Sequence, residues 1–319
     1  MTDVIADTLS AFGEAVLAGL SQPQKTVPAR FFYDRRGSEL FEAITKLPEY
    51  YPTRTEIALL RAHGPDIARL SGPHRAVIEF GSGSSRKTPL LLDAVKPPVY
   101  VPIDISGDYL HEAASTLADA YPDVDVLPVT ADFTRPLTLP AGAQALPALG
   151  FFPGSTIGNL SHAAAVDLLR ALAATLGAGA CLVIGIDTRK NPRLLETAYD
   201  DDAGVTAAFN LNLLHRMNRE LDGDVPVDAF EHRAVWHDGL GRIEMHLVAT
   251  RDVTFRICGR SFSLAAGESI HTENSYKYTI EEARLLARAS GWEPLAAWTD
   301  HERLFALHFW RAADARQEP

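Results

Sequence analysis

Ala76-Val-Ile-Glu-Phe-Gly-Ser-Gly-Ser-Ser-Arg-Lys87 reads as an apolar strand that runs into a glycine-rich turn. A second apolar run, Val99-Tyr-Val-Pro-Ile-Asp104, ends on a carboxylate. Glycines at 81 and 83 let the backbone approach a ligand where a Cβ would clash. Asp104 follows Gly81 by 23 residues, the separation at which a carboxylate at the end of the next strand accepts hydrogen bonds from ribose hydroxyls. Together the two runs predict a nucleoside-binding βαβ unit.

The nucleoside is narrowed by what the loop lacks. A dinucleotide fingerprint would carry a third glycine at 86, where this chain has Arg86. The pattern Glu79-Phe-Gly-Ser-Gly83 instead resembles the first motif of class I S-adenosylmethionine-dependent methyltransferases. Asp132-Phe133 follows an expected third strand, Val124 to Thr130, where an acidic-aromatic pair can bind and cover an adenine. Phe151-Phe-Pro-Gly-Ser-Thr-Ile-Gly-Asn159 ends a fourth, at the mouth where ligands of open α/β sheets bind.

Composition excludes several classes. The 319-residue chain is 46% hydrophobic and 22% charged, ordinary values for a globular enzyme of one large or two moderate domains. Its formal net charge of −11 and the lack of a Lys/Arg cluster argue against a nucleic-acid partner. Cys181 and Cys258 have neither metal-ligand spacing nor a disulfide framework, and Cys181 opens an apolar strand as a core residue. The eleven histidines show no HxxxH or similar cluster, so no metal is expected. With no signal peptide and no membrane-spanning run, a cytoplasmic monomer without membrane contact is expected.

Along the chain, Ser38 is expected to cap a helix through Leu40, Phe41, Ile44 and Leu47, and Thr53-Arg-Thr-Glu56 reads as a capping box. From 75 to 188 strands alternate with helices, one of them running from Ser161 to Gly177, which predicts a parallel doubly wound sheet. Residues 190 to 220 read as helical and 228 to 273 as an antiparallel meander with turns at Asp238-Gly239 and Cys258-Gly259. Thr279-Ile-Glu-Glu282 opens a last helix, and two antiparallel strands close the sheet. The fold class is therefore α/β, a Rossmann-like core at 55–189 and 278–319 with a second α+β domain at 1–54 and 190–277 that closes the cofactor cleft.

Further patches stand out: Phe32-Tyr-Asp34, Gly37-Ser-Glu-Leu-Phe41, Pro48-Glu-Tyr-Tyr-Pro-Thr-Arg-Thr-Glu56, Tyr199 to Asn210, and Glu273-Asn-Ser-Tyr-Lys-Tyr278. With Gly154 to Asn159 they resemble the histidine Nα-methyltransferases of ergothioneine biosynthesis, from about residue 28 to the last strand. That resemblance implies a core that binds S-adenosylmethionine through Gly81, Lys87, Asp104, Asp132, Phe133 and Gly154, with Phe41 closing over it. It implies that Asn159 and Tyr199 hold the substrate carboxylate. Tyr50, Glu273 and Ser275 would hold the imidazole, Met245 would line its pocket, and Tyr33 would orient the amino group through successive methylations to hercynine.

Taken singly, most of these residues read as loop packing, turn chemistry, core or surface; their joint occurrence within long motifs carries the assignment. The chemistry agrees with it. Glu273 can accept from an imidazole N–H while Ser275 or Tyr50 serves the other nitrogen, whereas an indole would satisfy one of those partners and leave the other unpaired. The open alternatives are another amino acid such as tryptophan, a non-catalytic S-adenosylmethionine-binding protein and, more distantly, a nicotinamide oxidoreductase. Asp200 to Asp202 read as a solvated acidic face with no catalytic role.

Overall fold

Strands that are apolar from end to end must bury both faces, and the larger sheet is built from such strands. The computed structural model describes residues 2–83, 86–105 and 107–313, the side chains of 2–10, 108 and 109 excepted. Ser84 and Ser85 of the glycine-rich stretch lie outside the described residues. The chain begins with α1 (Thr2–Leu20), β1 (Lys25–Thr26), α2 (Arg35–Ile44) and α3 (Tyr51–Ser71). The β/α alternation follows: β2 (Ala76–Phe80), α4 (Thr88–Val95), β3 (Val99–Asp104), α5 (Gly107–Ala120), β4 (Asp125–Val126) and β5 (Val129–Thr130). It continues with α6 (Ala141–Gln144), β6 (Ala148–Phe152), α7 (His162–Leu176) and β7 (Cys181–Asp187). Next come α8 (Pro192–Tyr199), α9 (Val205–Glu220), β8 (Phe230–His237), β9 (Arg242–Ala249), β10 (Val253–Ile257), β11 (Arg260–Leu264) and β12 (Ser269–Tyr276). The chain closes with α10 (Ile280–Ala289), β13 (Trp292–Thr299) and β14 (Phe305–Ala312).

Two compact units result. One comprises Pro52–Arg189 and the chain from Lys277 onward; the other comprises the chain up to Tyr51 and Lys190–Tyr276. In the first, the sheet order is β13-β14-β7-β6-β2-β3-β4, with β5 also on β3. Strands β2 to β7 run parallel, and β14 runs antiparallel to both β7 and β13. Val77, Tyr100, Leu149, Val183 and Phe309 from the sheet pack with Leu59, Leu60 and Ile67 of α3 and Leu91 and Leu92 of α4. The strand order reverses at β2, so a crevice forms beyond the carboxyl ends of β2 and β6, where Gly81 and Gly154 lie.

Local signals set most boundaries. Ser161 Oγ accepts from the Ala164 amide at 3.3 Å to start α7, and Gly177, at φ +84°, ends it. Thr279 and Glu282 form the reciprocal capping box that opens α10. Cys181 is buried in β7 as expected, and its thiol pKa is raised by that burial.

Three local expectations are corrected. Ser38 lies inside α2; the cap is Asp34, whose Oδ1 accepts from the Gly37 amide at 2.6 Å, because a carboxylate three residues ahead reaches an orphan donor that Ser38 cannot. Helix α3 starts at Tyr51, with Pro52 in the first turn where its missing N–H costs nothing, so Thr53 is already helical and Thr53–Glu56 is no capping box. The strand expected over 124–130 splits into β4 and β5 at Leu127-Pro128, where Pro128 has no amide to donate to the ladder. The last two strands form the antiparallel pair expected at the sheet edge, β13 outermost and β14 between β13 and β7.

The second unit carries a four-stranded sheet, β1-β12-β9-β8. Hairpin β10–β11 forms a separate two-stranded sheet, so 228–273 is not a simple meander: β12 returns across the hairpin to pair with β9. Nor is 200–202 a solvated face throughout. Asp201 is buried and accepts from the Val205 and Thr206 amides at 2.9 and 2.8 Å, capping α9 and lowering its own pKa despite burial.

Candidate active site

The cofactor candidates other than Phe41 lie in the first unit. Gly81 (φ +73°) and Gly83 (φ +44°) turn the chain sharply after β2, a conformation that glycine adopts without strain. The Gly81 amide donates to the Ile103 carbonyl at 2.8 Å, and the Gly83 amide reaches Asp104 Oδ2 at 3.4 Å. Asp104 is thereby tied to the loop at the end of β3. A Cβ on Gly81 would stand 3.7 Å from the Phe133 ring, so the missing side chain leaves the space over that ring open. Phe133 itself packs edge-on against Phe80 and Phe152. Asp132 is exposed, and its Oδ1 accepts from the amide and hydroxyl of Thr134, closing a tight turn. An open glycine cradle, a strand-end carboxylate and an aromatic floor fit an adenosyl group bearing ribose hydroxyls.

Two acids that carried no assigned ligand prove central. Glu79 is buried in β2, and its Oε2 accepts from Thr88 Oγ1 and the Tyr100 hydroxyl, each at 2.7 Å. Desolvation outweighs those bonds and raises its pKa to about 7. Glu56 is fully buried. Its carboxylate lies 2.5 Å from Lys87 Nζ and accepts from the Gly154 amide at 3.0 and 3.1 Å. The helix α3, the start of α4 and the turn after β6 are thus joined at one carboxylate. Gly185 in β7 makes room for it, since a Cβ there would collide with Glu56 Oε1. Read along the chain, Glu56 had the look of a cap; the signal that could have found it is a lone glycine inside an otherwise bulky central strand.

Gly154 follows β6 at φ +83°, and Asn159 ends a short 3-10 turn, Thr156–Asn159. Nearby, Asp187 and Lys277 form a fully buried ion pair at 2.8 Å. The Ser155 hydroxyl accepts from the Asp187 amide at 2.9 Å, tying the β6 turn to the end of β7.

The acceptor candidates Tyr33, Tyr50, Tyr199, Met245, Glu273 and Ser275 lie in the second unit, as does Phe41. Four of the aromatic rings form a run of edge contacts: Tyr33 on Phe41 at 5.6 Å, Phe41 on Tyr50 at 6.3 Å and Tyr50 on Tyr199 at 6.2 Å. Phe209 of α9 supports both Tyr33 and Phe41. Tyr33 is 38% exposed, whereas Tyr50 and Tyr199 are buried. The Tyr199 hydroxyl is 2.7 Å from Ser275 Oγ, which links two residues that the resemblance gives to opposite ends of the substrate. Behind it, His232 Nε2 donates to the Tyr199 carbonyl at 2.8 Å, and the Asn210 side-chain amide donates to His232 Nδ1. Burial lowers the His232 pKa, which suits this neutral tautomer.

Register decides which side of the β9–β12 pair carries these groups. Glu273 stands opposite Met245 and Ser275 opposite Ile243. A bulge between His271 and Glu273 makes this possible, with Thr272 as the extra residue. Without it Glu273 would share a face with His271; with it, Glu273 and Ser275 share the buried face of Met245.

Comparison with known proteins places the chain as a whole. A family model described as a histidine-specific, S-adenosylmethionine-dependent methyltransferase matches residues 12–312. Histidine N-alpha-methyltransferase of Mycolicibacterium smegmatis is 39% identical over 320 residues, covering 96% of this chain and 98% of that protein. Ergothioneine biosynthesis protein 1 of Neurospora crassa is 30% identical over 295 residues, covering 89% of this chain and 33% of that longer protein. A 4-dimethylallyltryptophan N-methyltransferase of Claviceps purpurea is 28% identical over 316 residues, covering 90% of this chain and 91% of that protein.

Glu56→Gln keeps an acceptor for the Gly154 amide but strands the Lys87 charge, so unfolding titrations should show a loss of about 3 kcal/mol. Adding Lys87→Met should recover part of that loss, because no uncompensated charge is left. Glu79 has a raised folded-state pKa, so the folded protein holds its proton where the unfolded chain has lost it. Its contribution to stability therefore falls as pH rises from about 4.5 through about 7. Stability measured across that window should decline less in Glu79→Gln than in the wild type.

Proposed function

The chain belongs to the family of histidine-specific, S-adenosylmethionine-dependent methyltransferases, and we propose that it trimethylates the α-amino group of L-histidine to give hercynine, a step of ergothioneine biosynthesis. The observation that carries this reading is the acceptor face of β12 and β9. It sets a buried carboxylate, Glu273, beside the Ser275 hydroxyl and the apolar Met245, with the Tyr199 hydroxyl against Ser275 on the side given to the substrate carboxylate. Such a set suits an imidazole, which offers one N–H donor and one acceptor nitrogen in its neutral form. The histidine N-alpha-methyltransferase of Mycolicibacterium smegmatis supports the same acceptor, and the ergothioneine biosynthesis protein of Neurospora crassa the same pathway.

S-adenosylmethionine, when bound, supplies an electrophilic methyl group on a sulfonium centre. Asp104 would hold its ribose hydroxyls, Asp132 and Phe133 its adenine, and Gly81, Gly154 and Lys87 the remaining polar groups, with Phe41 as a further cofactor residue. Glu56 fixes Lys87 and the Gly154 amide in place for that task. Asn159 and Tyr199 would take the substrate carboxylate, and Glu273, Ser275 and Tyr50 the imidazole. The amine must be neutral to react, and the Tyr33 hydroxyl can accept its N–H and orient its lone pair. Each ammonium form gives up one proton to water before it reacts, so no dedicated base is required. The Tyr33 ring, edge-packed on Phe41 and Phe209, tolerates the growing methylammonium through cation–π attraction after the last N–H is gone. Positioning of this kind contributes roughly 7–11 kcal/mol to a bimolecular transfer.

Incubation with S-adenosylmethionine and an equal mixture of all twenty amino acids, followed by mass spectrometry, should yield trimethylated histidine alone. Methylated tryptophan in its place would overturn the acceptor assignment and leave the cofactor assignment standing. Glu273→Ala should lower kcat/KM for histidine by about 1.5–3 kcal/mol, roughly 10- to 150-fold. Its affinity for S-adenosylhomocysteine should be unchanged, whereas Asp104→Ala should lose that affinity.

A further inference from the structure

The residues of β9 and β12 that point away from Met245 and Glu273 form a second polar group, independent of the acceptor reading. His246 and His271 are cross-strand partners with stacked rings 4.8 Å apart, and Glu244 precedes His246 by two residues on the same face. One donor atom from each lies within 4.8 Å of the other two, and all three residues are partly buried. Each ring is anchored through one nitrogen. His271 Nε2 is 3.0 Å from the Glu273 carbonyl oxygen, which can only accept, so the proton sits on Nε2 and Nδ1 keeps its lone pair. His246 Nδ1 is 3.0 Å from Ser269 Oγ and its Nε2 is 3.1 Å from Glu244 Oε2, so Nε2 donates to the carboxylate, and metal binding there moves the ring proton to Nδ1, where Ser269 Oγ accepts it. Metal-binding histidines are typically held through the second ring nitrogen in this way.

We infer that Glu244, His246 and His271 form a site for one divalent transition-metal ion of the zinc class, bound through Glu244 Oε2, His246 Nε2 and His271 Nδ1, with solvent completing the shell. Two imidazoles and a carboxylate select such ions over magnesium or calcium, which require oxygen ligands. Ligand atoms around tetrahedral zinc stand about 3.3 Å apart, so small rotations of the rings suffice. Arg242 grips the other carboxylate oxygen, Glu244 Oε1, at 2.5 and 2.8 Å. It leaves Oε2 to the imidazoles, and its charge makes the affinity moderate. Spacing along the chain conceals the site, because His246 and His271 meet only through strand pairing. The site lies on the face opposite the acceptor residues, and the His271 bond to the Glu273 carbonyl links it to the bulge that orients Glu273.

Untagged protein stripped with a chelator and titrated with zinc chloride by calorimetry should bind a single equivalent and melt at a higher temperature with zinc. His246→Ala/His271→Ala should weaken that binding by at least about 100-fold, and Ser269→Ala by about ten-fold. Glu244→Gln keeps the side-chain shape and serves as the folded control should the double variant misfold; it too should lose affinity. No saturable binding by the wild type, or binding of equal affinity in folded Glu244→Gln, would overturn the site.

Discussion

A buried carboxylate holds the cofactor side of this protein together. Glu56 on α3 grips the Lys87 ammonium at the start of α4 and the Gly154 amide after β6. Taking that charge out of water is costly, and the cost is offset only while all its partners stay in place. Gly185 is part of the same constraint, since any side chain there would enter the space of the carboxylate. The arrangement fixes the turn that follows β6 relative to the glycine loop that follows β2, which is the spacing a nucleoside ligand requires.

Glu79 works by the opposite logic. It is buried against two hydroxyl donors, and desolvation prevails over them and raises its pKa to about 7. The two acids are neighbours in the same unit and differ in charge partner, and their environments assign them different tasks. Glu56 is an ionic clamp, whereas Glu79 is a hydrogen-bond acceptor that ties β2 to β3 through Tyr100 and to α4 through Thr88.

In the other unit a one-residue irregularity has the largest effect. The bulge at Thr272 shifts the phase of β12, so that residues two apart, His271 and Glu273, face opposite ways. One face gains a carboxylate and a hydroxyl beside Met245, and the other gains a histidine pair beside Glu244. The aromatic run from Tyr33 to Tyr199 adds rigid, edge-packed rings to the same unit.

The glycine loop, Asp104, the β/α alternation and the caps at Ser161 and Thr279 were legible along the chain, because each depends on neighbours a few residues away. The long acceptor motifs were legible as a resemblance, and the family match from residue 12 to 312 agrees with it. Local reading went astray where a residue's partner is distant. Glu56 resembled a helix cap until Lys87 and Gly154 took it up, and Asp201 resembled solvated charge until it capped α9. The split of the third strand at Pro128 and the return of β12 to β9 across a separate hairpin depend on pairing between strands. So do the phase of Glu273 and the meeting of His246 with His271. Sequence fixes which groups are present and how each turn begins and ends; only the tertiary structure decides which faces and which charges meet, because register and burial are properties of two chain segments at once.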